Sequence, residues 1–67
     1  MASYEEIERL LEDASRLLDA AARQLRDIQL DPKGNVRRIA EALTLVSEIR
    51  SQVYVKRPDL KPAYLKK

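Results

Sequence analysis

The chain contains no cysteine and no histidine among its 67 residues, and it has a single glycine. Without thiols no disulfide can form, and without thiolate or imidazole ligands the usual zinc sites are excluded. One glycine is too few for a glycine-rich phosphate-binding loop. Because small domains usually need disulfides, metals or association, we expect this chain to be stabilised by oligomerisation or by docking on a partner.

Long apolar stretches are also missing, since no run approaches the roughly 18–20 residues that span a bilayer. Residues 1–6 are polar and acidic, and they lack the basic segment and apolar core of a secretory signal. We therefore expect a cytoplasmic protein without a transmembrane segment. The length provides for one domain.

The residues that are abundant are those of long helices, namely Ala, Leu, Glu and Arg, and charged side chains make up 36% of the chain. The two parts of the chain differ in charge. Residues 1–54 carry eight basic and ten acidic side chains, a net charge of −2, whereas residues 55–67 carry five basic and one acidic, a net charge of +4. The excess of positive charge therefore belongs to the C-terminal segment.

A first helix is predicted over residues of about 4–30. Ser3 and Glu6 have the spacing of a capping box at its start. Apolar residues then recur at three of every seven positions, which is typical of a helix in a globular bundle. With Ile7 as position a of the heptad, the sets are Ile7, Ala14, Ala21 and Ile28 at a, Leu10 and Leu17 at d, and Tyr4, Leu11, Leu18 and Leu25 at e. On the opposite face we expect three ion pairs four residues apart, Glu5–Arg9, Glu12–Arg16 and Asp19–Arg23.

A turn is predicted over residues 31–35, and two descriptions of it remain open. In one, Asp31 to Gly34 form a type I turn and Asn35 caps the next helix. In the other, Asp31 is the cap and Pro32 is the first helical residue, a position that proline favours. Both give a short connection, and short connections between helices produce antiparallel neighbours.

A second helix is predicted over residues of about 36–56, because apolar side chains again share one face and Pro58 disfavours helix beyond Arg57. Residues 58–67 form a short basic tail with two prolines, for which we expect one helical turn or an extended arm. If the tail is an extended arm, we expect it to contribute charge and not to take part in the core. The predicted fold is thus an all-α, antiparallel two-helix hairpin over residues 1–57.

The apolar stripes of both helices are wider than one partner helix can cover. We expect two hairpins to dimerise into a four-helix bundle, since two-fold dimers are the commonest soluble oligomers. A different protein partner, or a monomer covered by its own tail, are the alternatives. The predicted interaction face consists of Tyr4, Leu11, Leu18, Leu25 and Leu45.

The sequence favours a non-catalytic adaptor or small regulator without a cofactor. Its serines have no histidine to activate them, and most of its carboxylates lie on outward positions of the first helix or at helix starts, with an arginine in reach. Gln24 and Arg50 interrupt the apolar faces. We expect both at the rim, with the Arg50 guanidinium in water, and the alternative is a device that sets the register of an interface.

The alternative function is that of a nucleic-acid-binding regulator, because lysine and arginine attract phosphates and tyrosines can stack on unpaired bases. An acidic protein partner, a solvated tail or an anionic membrane would suit the same charges. The candidate contacts are Arg37, Arg38, Lys56, Arg57, Lys61, Lys66 and Lys67.

Overall fold

Residues 2–63 are described by the computed structural model, and they form two long α-helices followed by one turn of 3-10 helix. Helix α1 spans Tyr4–Asp27, helix α2 spans Pro32–Lys56, and the 3-10 turn η1 spans Pro58–Leu60. The start of α1 lies beside the end of α2, where side chains of the two helices are hydrogen-bonded. The predicted all-α antiparallel hairpin is confirmed.

The start of α1 is capped by Ser3, whose hydroxyl accepts a hydrogen bond of 3.1 Å from the backbone N–H of Glu6. This half of the predicted capping box is confirmed. The Glu6 carboxylate instead accepts hydrogen bonds from Arg9, at 2.5 and 3.2 Å. The side chain therefore supports the first turn through an exposed ion pair three residues away, which contributes little to stability.

The charged face of α1 pairs differently from the prediction at two of three places. Asp19 and Arg23 form the expected ion pair. Arg9 pairs instead with Glu6 and Asp13, and Arg16 pairs with Asp13. Acids three residues before a base are as close on a helix as acids four residues before it, so sequence spacing alone does not select the partner.

The end of α1 is a Schellman motif, in which the chain turns back through one left-handed residue. Gln29 has a φ of 58°, its N–H donates to the Arg26 carbonyl, and the Leu30 N–H donates to the Leu25 carbonyl at 3.2 Å. A left-handed residue cannot continue the helix. The helix therefore ends before the predicted residue 30, although no glycine marks the place.

The connection between the helices is residues 28–31 and not 31–35. Pro32 is the first residue of α2, and Asp31 precedes it with a φ of 41°, without a side-chain capping bond. Asn35 lies inside the first turn, where its amide donates to the Leu30 carbonyl at 2.8 Å. Of the two descriptions that the sequence left open, the one with Pro32 as the first helical residue is confirmed.

The hairpin is a single layer with very little interior. The molecule measures 40 × 30 × 17 Å, and the thin dimension is less than the roughly 20–24 Å that two stacked helices of 10–12 Å diameter would need. Among residues 2–63 only Glu8, Ala22 and Val53 are buried, and they lie where the two helices meet. Neither helix in this part of the chain has an apolar stretch long enough to cross a membrane.

The first residues of the tail pack against the hairpin. Arg57 is hydrogen-bonded to the carboxylate of Asp59 at 2.8 and 2.9 Å, and also to Glu5 at the start of α1. These bonds raise the pKa of the Arg57 guanidinium, first through Asp59 and then through Glu5. Leu60 is half-buried. The expectation of a wholly solvated arm is therefore wrong for residues 60–62, which are half-buried, while residues 64–67 lie outside the described part.

Candidate functional site: an apolar face and a buried ion pair

One side of α1 presents large apolar side chains to solvent. Ile7, Leu10 and Leu17 follow one another at spacings of three and seven residues, and Leu17 is 71% exposed. Ala14 and Ala21 fill the same stripe between and beyond them. This is the a/d pattern of a helix that packs against another helix.

Helix α2 contributes to the same side of the hairpin. Leu45 is 62% exposed, Ile49 is exposed as well, and Ala42 is half-buried beside them. Each residue advances by about 100° around a helix. On both helices this places the exposed apolar residues roughly 90° around the helix axis from the buried residues that contact the other helix. Because the helices are antiparallel, these two displacements point to the same side. The apolar face is thus Ile7, Leu10, Ala14, Leu17, Ala21, Ala42, Leu45 and Ile49.

The opposite side of the hairpin is polar. Two open clefts of about 380 and 250 Å³ meet at Arg50, and every other residue that lines them is charged, a serine or a tyrosine. The α1 side of this surface carries alternating acids and arginines, and the α2 side carries hydroxyls. The lining residues are Glu12, Ser15, Arg16, Asp19, Arg23, Ser47, Ser51 and Tyr54. The hairpin is therefore amphipathic as a whole.

A buried ion pair joins the helices near their open end. Glu8 is 6% exposed, and its Oε1 accepts hydrogen bonds from Arg50 Nε at 3.0 Å, Arg50 Nη2 at 2.5 Å and the Tyr54 hydroxyl at 2.7 Å. The Arg50 guanidinium also lies 5.9 Å from the centre of the Tyr54 ring, within cation–π range. Three donors converge on a single oxygen, so the cluster fixes how α1 and α2 meet.

The electrostatics of the cluster follow from this geometry. The hydrogen bonds from Arg50 to Glu8 raise the pKa of the guanidinium, and burial raises the pKa of Tyr54, with its bond to Glu8 acting in the same direction. The second carboxylate oxygen, Glu8 Oε2, is buried and accepts no hydrogen bond from residues 2–63. The expectation that the Arg50 guanidinium lies in water is wrong, since its side chain is 13% exposed.

The predicted interaction face is divided by the fold. Tyr4 and Leu45 are exposed, whereas Leu11, Leu18 and Leu25 are half-buried. The three half-buried leucines share their side of α1 with the buried residues and so face α2. The exposed part of the apolar stripe is instead the a/d set described above.

The candidate anion contacts are not brought together. Arg37 and Arg38 lie at the turn end of the hairpin, and Lys56, Arg57 and Lys61 lie at the open end. A rise of 1.5 Å per residue separates Arg37 from Lys56 by about 28 Å. Arg38 is hydrogen-bonded to Asn35 and Arg57 to acids, while Lys66 and Lys67 lie outside the described residues.

Sequence reasoning missed Glu8 and one basic cleft. Glu8 shares the inner side of α1 with Leu11 and Ala22, and an arginine on the apolar face of α2 needs a buried acid opposite it, so the signal was present. At the turn, Arg26 and Lys33 line an open cleft together with Pro32, Val36 and Arg37. No group of acidic side chains within residues 2–63 is arranged to hold a metal ion.

Comparison with protein-family models, with curated proteins and with solved structures finds no match to this chain.

Proposed function

We propose that this chain is a non-catalytic interaction protein, a small adaptor or regulator in the cytoplasm, which works by docking its apolar face on another protein surface. The observation that carries the proposal is the cluster of exposed apolar residues that both helices present on one side of the hairpin. Leu17 is 71% exposed and Leu45 is 62% exposed, and they lie on different helices but on the same side. A contiguous apolar patch of this kind is a mark of protein–protein interaction sites.

The small size of the core also supports docking on another protein surface. Two apolar residues and one glutamate are the buried residues within 2–63, so the isolated hairpin has little core to offset the loss of chain entropy. Burial of the apolar face would add stability at roughly 25 cal/mol per Å² of apolar surface removed from water. The simplest surface that could cover it is a second copy of the chain, which would give a four-helix bundle.

The polar groups fit a structural role better than a chemical one. The carboxylate of Glu8 is held by Arg50 and Tyr54, and both arginine bonds converge on one oxygen. A general base needs reach to a substrate proton, and Glu8 is only 6% exposed, so its carboxylate is withdrawn from any substrate in solvent. The two clefts beside Arg50 are open to solvent, unlike the concave pockets of enzymes.

The test is a comparison of variants during co-purification from the native host. Leu10→Glu with Leu17→Glu places two charges on the apolar face without touching the buried line of contact. Ser47→Glu with Ser51→Glu places two charges on the opposite side and serves as the matched control. We expect the first pair to lose every associated chain, including untagged copies of itself, and the control to retain them. Equal recovery from both would refute docking through the apolar face.

A second candidate function, nucleic-acid binding, is favoured by the basic cleft at the turn. Arg26, Lys33 and Arg37 line it together, and three cations in one cleft suit phosphate groups. Filter binding of mixed RNA and DNA across a salt series tests this function. Affinity that falls with salt, and that falls further for Lys33→Ala with Arg37→Ala, would support it. Absence of binding at low salt would dismiss it.

A further inference from the structure

We propose that the apolar face is covered by the same face of a second copy, with the two-fold axis parallel to the helices, so that α1 of each copy packs antiparallel against α2 of the other. The inference rests on the proposed docking function and names both its partner and its arrangement. The observations that carry it are the charges of the two helices and the sizes of the side chains along the face.

Two identical faces can meet about a two-fold axis in two ways when the helices are to remain aligned. If the axis runs parallel to the helices, α1 lies over α2 of the second copy, and every neighbouring pair is antiparallel. If the axis runs across the helices, α1 lies over α1 and α2 over α2. Both arrangements bury the same residues, so buried apolar area does not distinguish them.

The charges of the helices distinguish the two arrangements. α1 carries seven acids and four arginines, a net charge of −3, and α2 carries five basic residues and two acids, a net charge of +3. Placing α1 over α2 of the second copy brings opposite net charges together. Placing each helix over its own copy brings like charges together, which costs free energy.

At the ends of the apolar face, too, the first arrangement brings opposite charges together and the second brings like charges together. The stripe on α2 that holds Leu45 and Ile49 continues to Arg38 at one end and Lys56 at the other, by steps of three and four residues. With the axis parallel to the helices, Lys56 lies near Glu6 of the second copy, at the open end of the hairpin. With the axis across the helices, Lys56 lies near Arg38 of the second copy instead.

The side-chain sizes also match in the first arrangement. Glu8 is level with Arg50 and Tyr54, and Glu5 with Arg57, so residues of the two helices are level when their numbers add to about 60. A parallel axis preserves these levels between copies. At two of the three levels a small residue then meets a large one, which favours close packing. These pairs are Ala14 with Leu45 and Leu17 with Ala42, and at the third level Leu10 meets Ile49.

An anionic membrane is a poorer occupant of this face. Helices that lie on anionic lipid carry lysine and arginine beside their apolar side. Here the outer edge of α2 carries Glu41 and Glu48, and on the outer edge of α1 the acids Glu6 and Asp13 are paired with Arg9 and Arg16. Glu41 and Glu48 would be repelled by the lipid headgroups, whereas a second copy offers Lys56 to Glu6.

The absence of cysteine makes the arrangement testable by disulfide cross-linking of the full chain. Two single-cysteine variants, Ala14→Cys and Leu45→Cys, are mixed, allowed to exchange subunits and oxidised mildly. Disulfides need Cβ atoms about 3.5–4.5 Å apart, so only close pairs are trapped. We expect the mixed disulfide between the two variants to dominate. Circular dichroism of each variant checks that it remains helical, and sedimentation equilibrium of the unmodified chain should give twice 7.7 kDa.

Other outcomes overturn the inference in distinguishable ways. Leu45→Cys and Ala14→Cys each linked mainly to itself would show the axis across the helices while leaving docking through the apolar face intact. A monomer in sedimentation would exclude the second copy, as would binding of that monomer to phosphatidylserine vesicles. Co-purification with the apolar-face variants then still decides the proposed function independently.

A charge reversal provides a second measurement of the arrangement. Lys56→Glu should weaken the dimer about two- to fivefold, since it would place an acid near Glu6 of the second copy. Tighter dimerisation of this variant would overturn the inference, because it is the result expected when Lys56 faces Arg38 of the second copy. Lys33→Glu, at the turn and away from the face, is the control and should leave the dissociation constant unchanged.

Discussion

Replacing Arg50 by methionine is the most demanding test of the buried ion pair. The substitution keeps an apolar stem of similar length but removes the guanidinium that donates two hydrogen bonds to Glu8. The carboxylate would remain in its buried position with Tyr54 as its one remaining donor. Removing one member of a buried pair costs about 3–5 kcal/mol, because the other charge is left without compensation.

The expected loss is comparable with the whole stability of the domain. A chain of this length unfolds with a free energy of roughly 3–10 kcal/mol, at about 0.05–0.15 kcal/mol per residue. Arg50→Met should therefore be partly unfolded at room temperature. The measurement is urea unfolding followed by circular dichroism at 222 nm, at one fixed protein concentration. Arg16→Met, which removes an exposed arginine paired with Asp13, should cost less than about 1 kcal/mol.

The double variant Glu8→Leu with Arg50→Met decides whether the cost comes from the pair. Removing both charges leaves no buried charge unpaired, and the half-buried Tyr54 hydroxyl is the one group that loses its acceptor. Apolar replacements of buried pairs are often neutral or stabilising. We expect the double variant to be within about 1 kcal/mol of the natural chain, and more stable than Arg50→Met alone. If the two single losses simply add in the double variant, the reasoning about the buried pair is refuted.

Three further predictions concern Tyr54, the end of α1 and the tail. The raised pKa of Tyr54 favours its neutral form in the folded state. Its contribution to the unfolding free energy is therefore present below pH about 10 and is lost as pH rises through the folded pKa. Alkaline titration of the unfolding free energy should show this loss in the natural chain and not in Tyr54→Phe. Gln29→Gly should raise the unfolding free energy by about 0.5–1 kcal/mol, because glycine adopts the left-handed conformation without strain. Gln24→Gly, inside α1, should lower the unfolding free energy by a similar amount in the same urea titration. Leu60→Ser should lower the melting midpoint by about 4–8 °C, since burial of the half-buried Leu60 side chain contributes roughly 1 kcal/mol. Val55→Ser, at a position that is 79% exposed, should leave the midpoint unchanged. Equal shifts in the two variants would show that the tail does not pack on the hairpin.

Local chemistry was sufficient to predict the two helices and Pro32 as one of two possible starts of α2. Ser3 caps α1 through a bond to a residue three positions away, and Pro32 starts α2 because its backbone suits the first helical position. These interactions involve neighbours in the chain, so the sequence contains everything that they need. The end of α1 was harder to predict, since Gln29 adopts a conformation that glycine usually marks.

The sequence by itself determined that α1 carries a stripe of apolar residues, and only the tertiary structure decided which part of the stripe is covered. The stripe is wider than one neighbouring helix, so α1 rotated by about 100° would place Leu17 instead of Leu18 at the contact with α2. The rotation of α1 about its axis is set by Glu8, whose carboxylate meets Arg50 across the hairpin, 42 residues away in the chain. No local pattern specifies such a pairing. The a/d residues are left exposed because the helices meet on the side where the buried charges are matched.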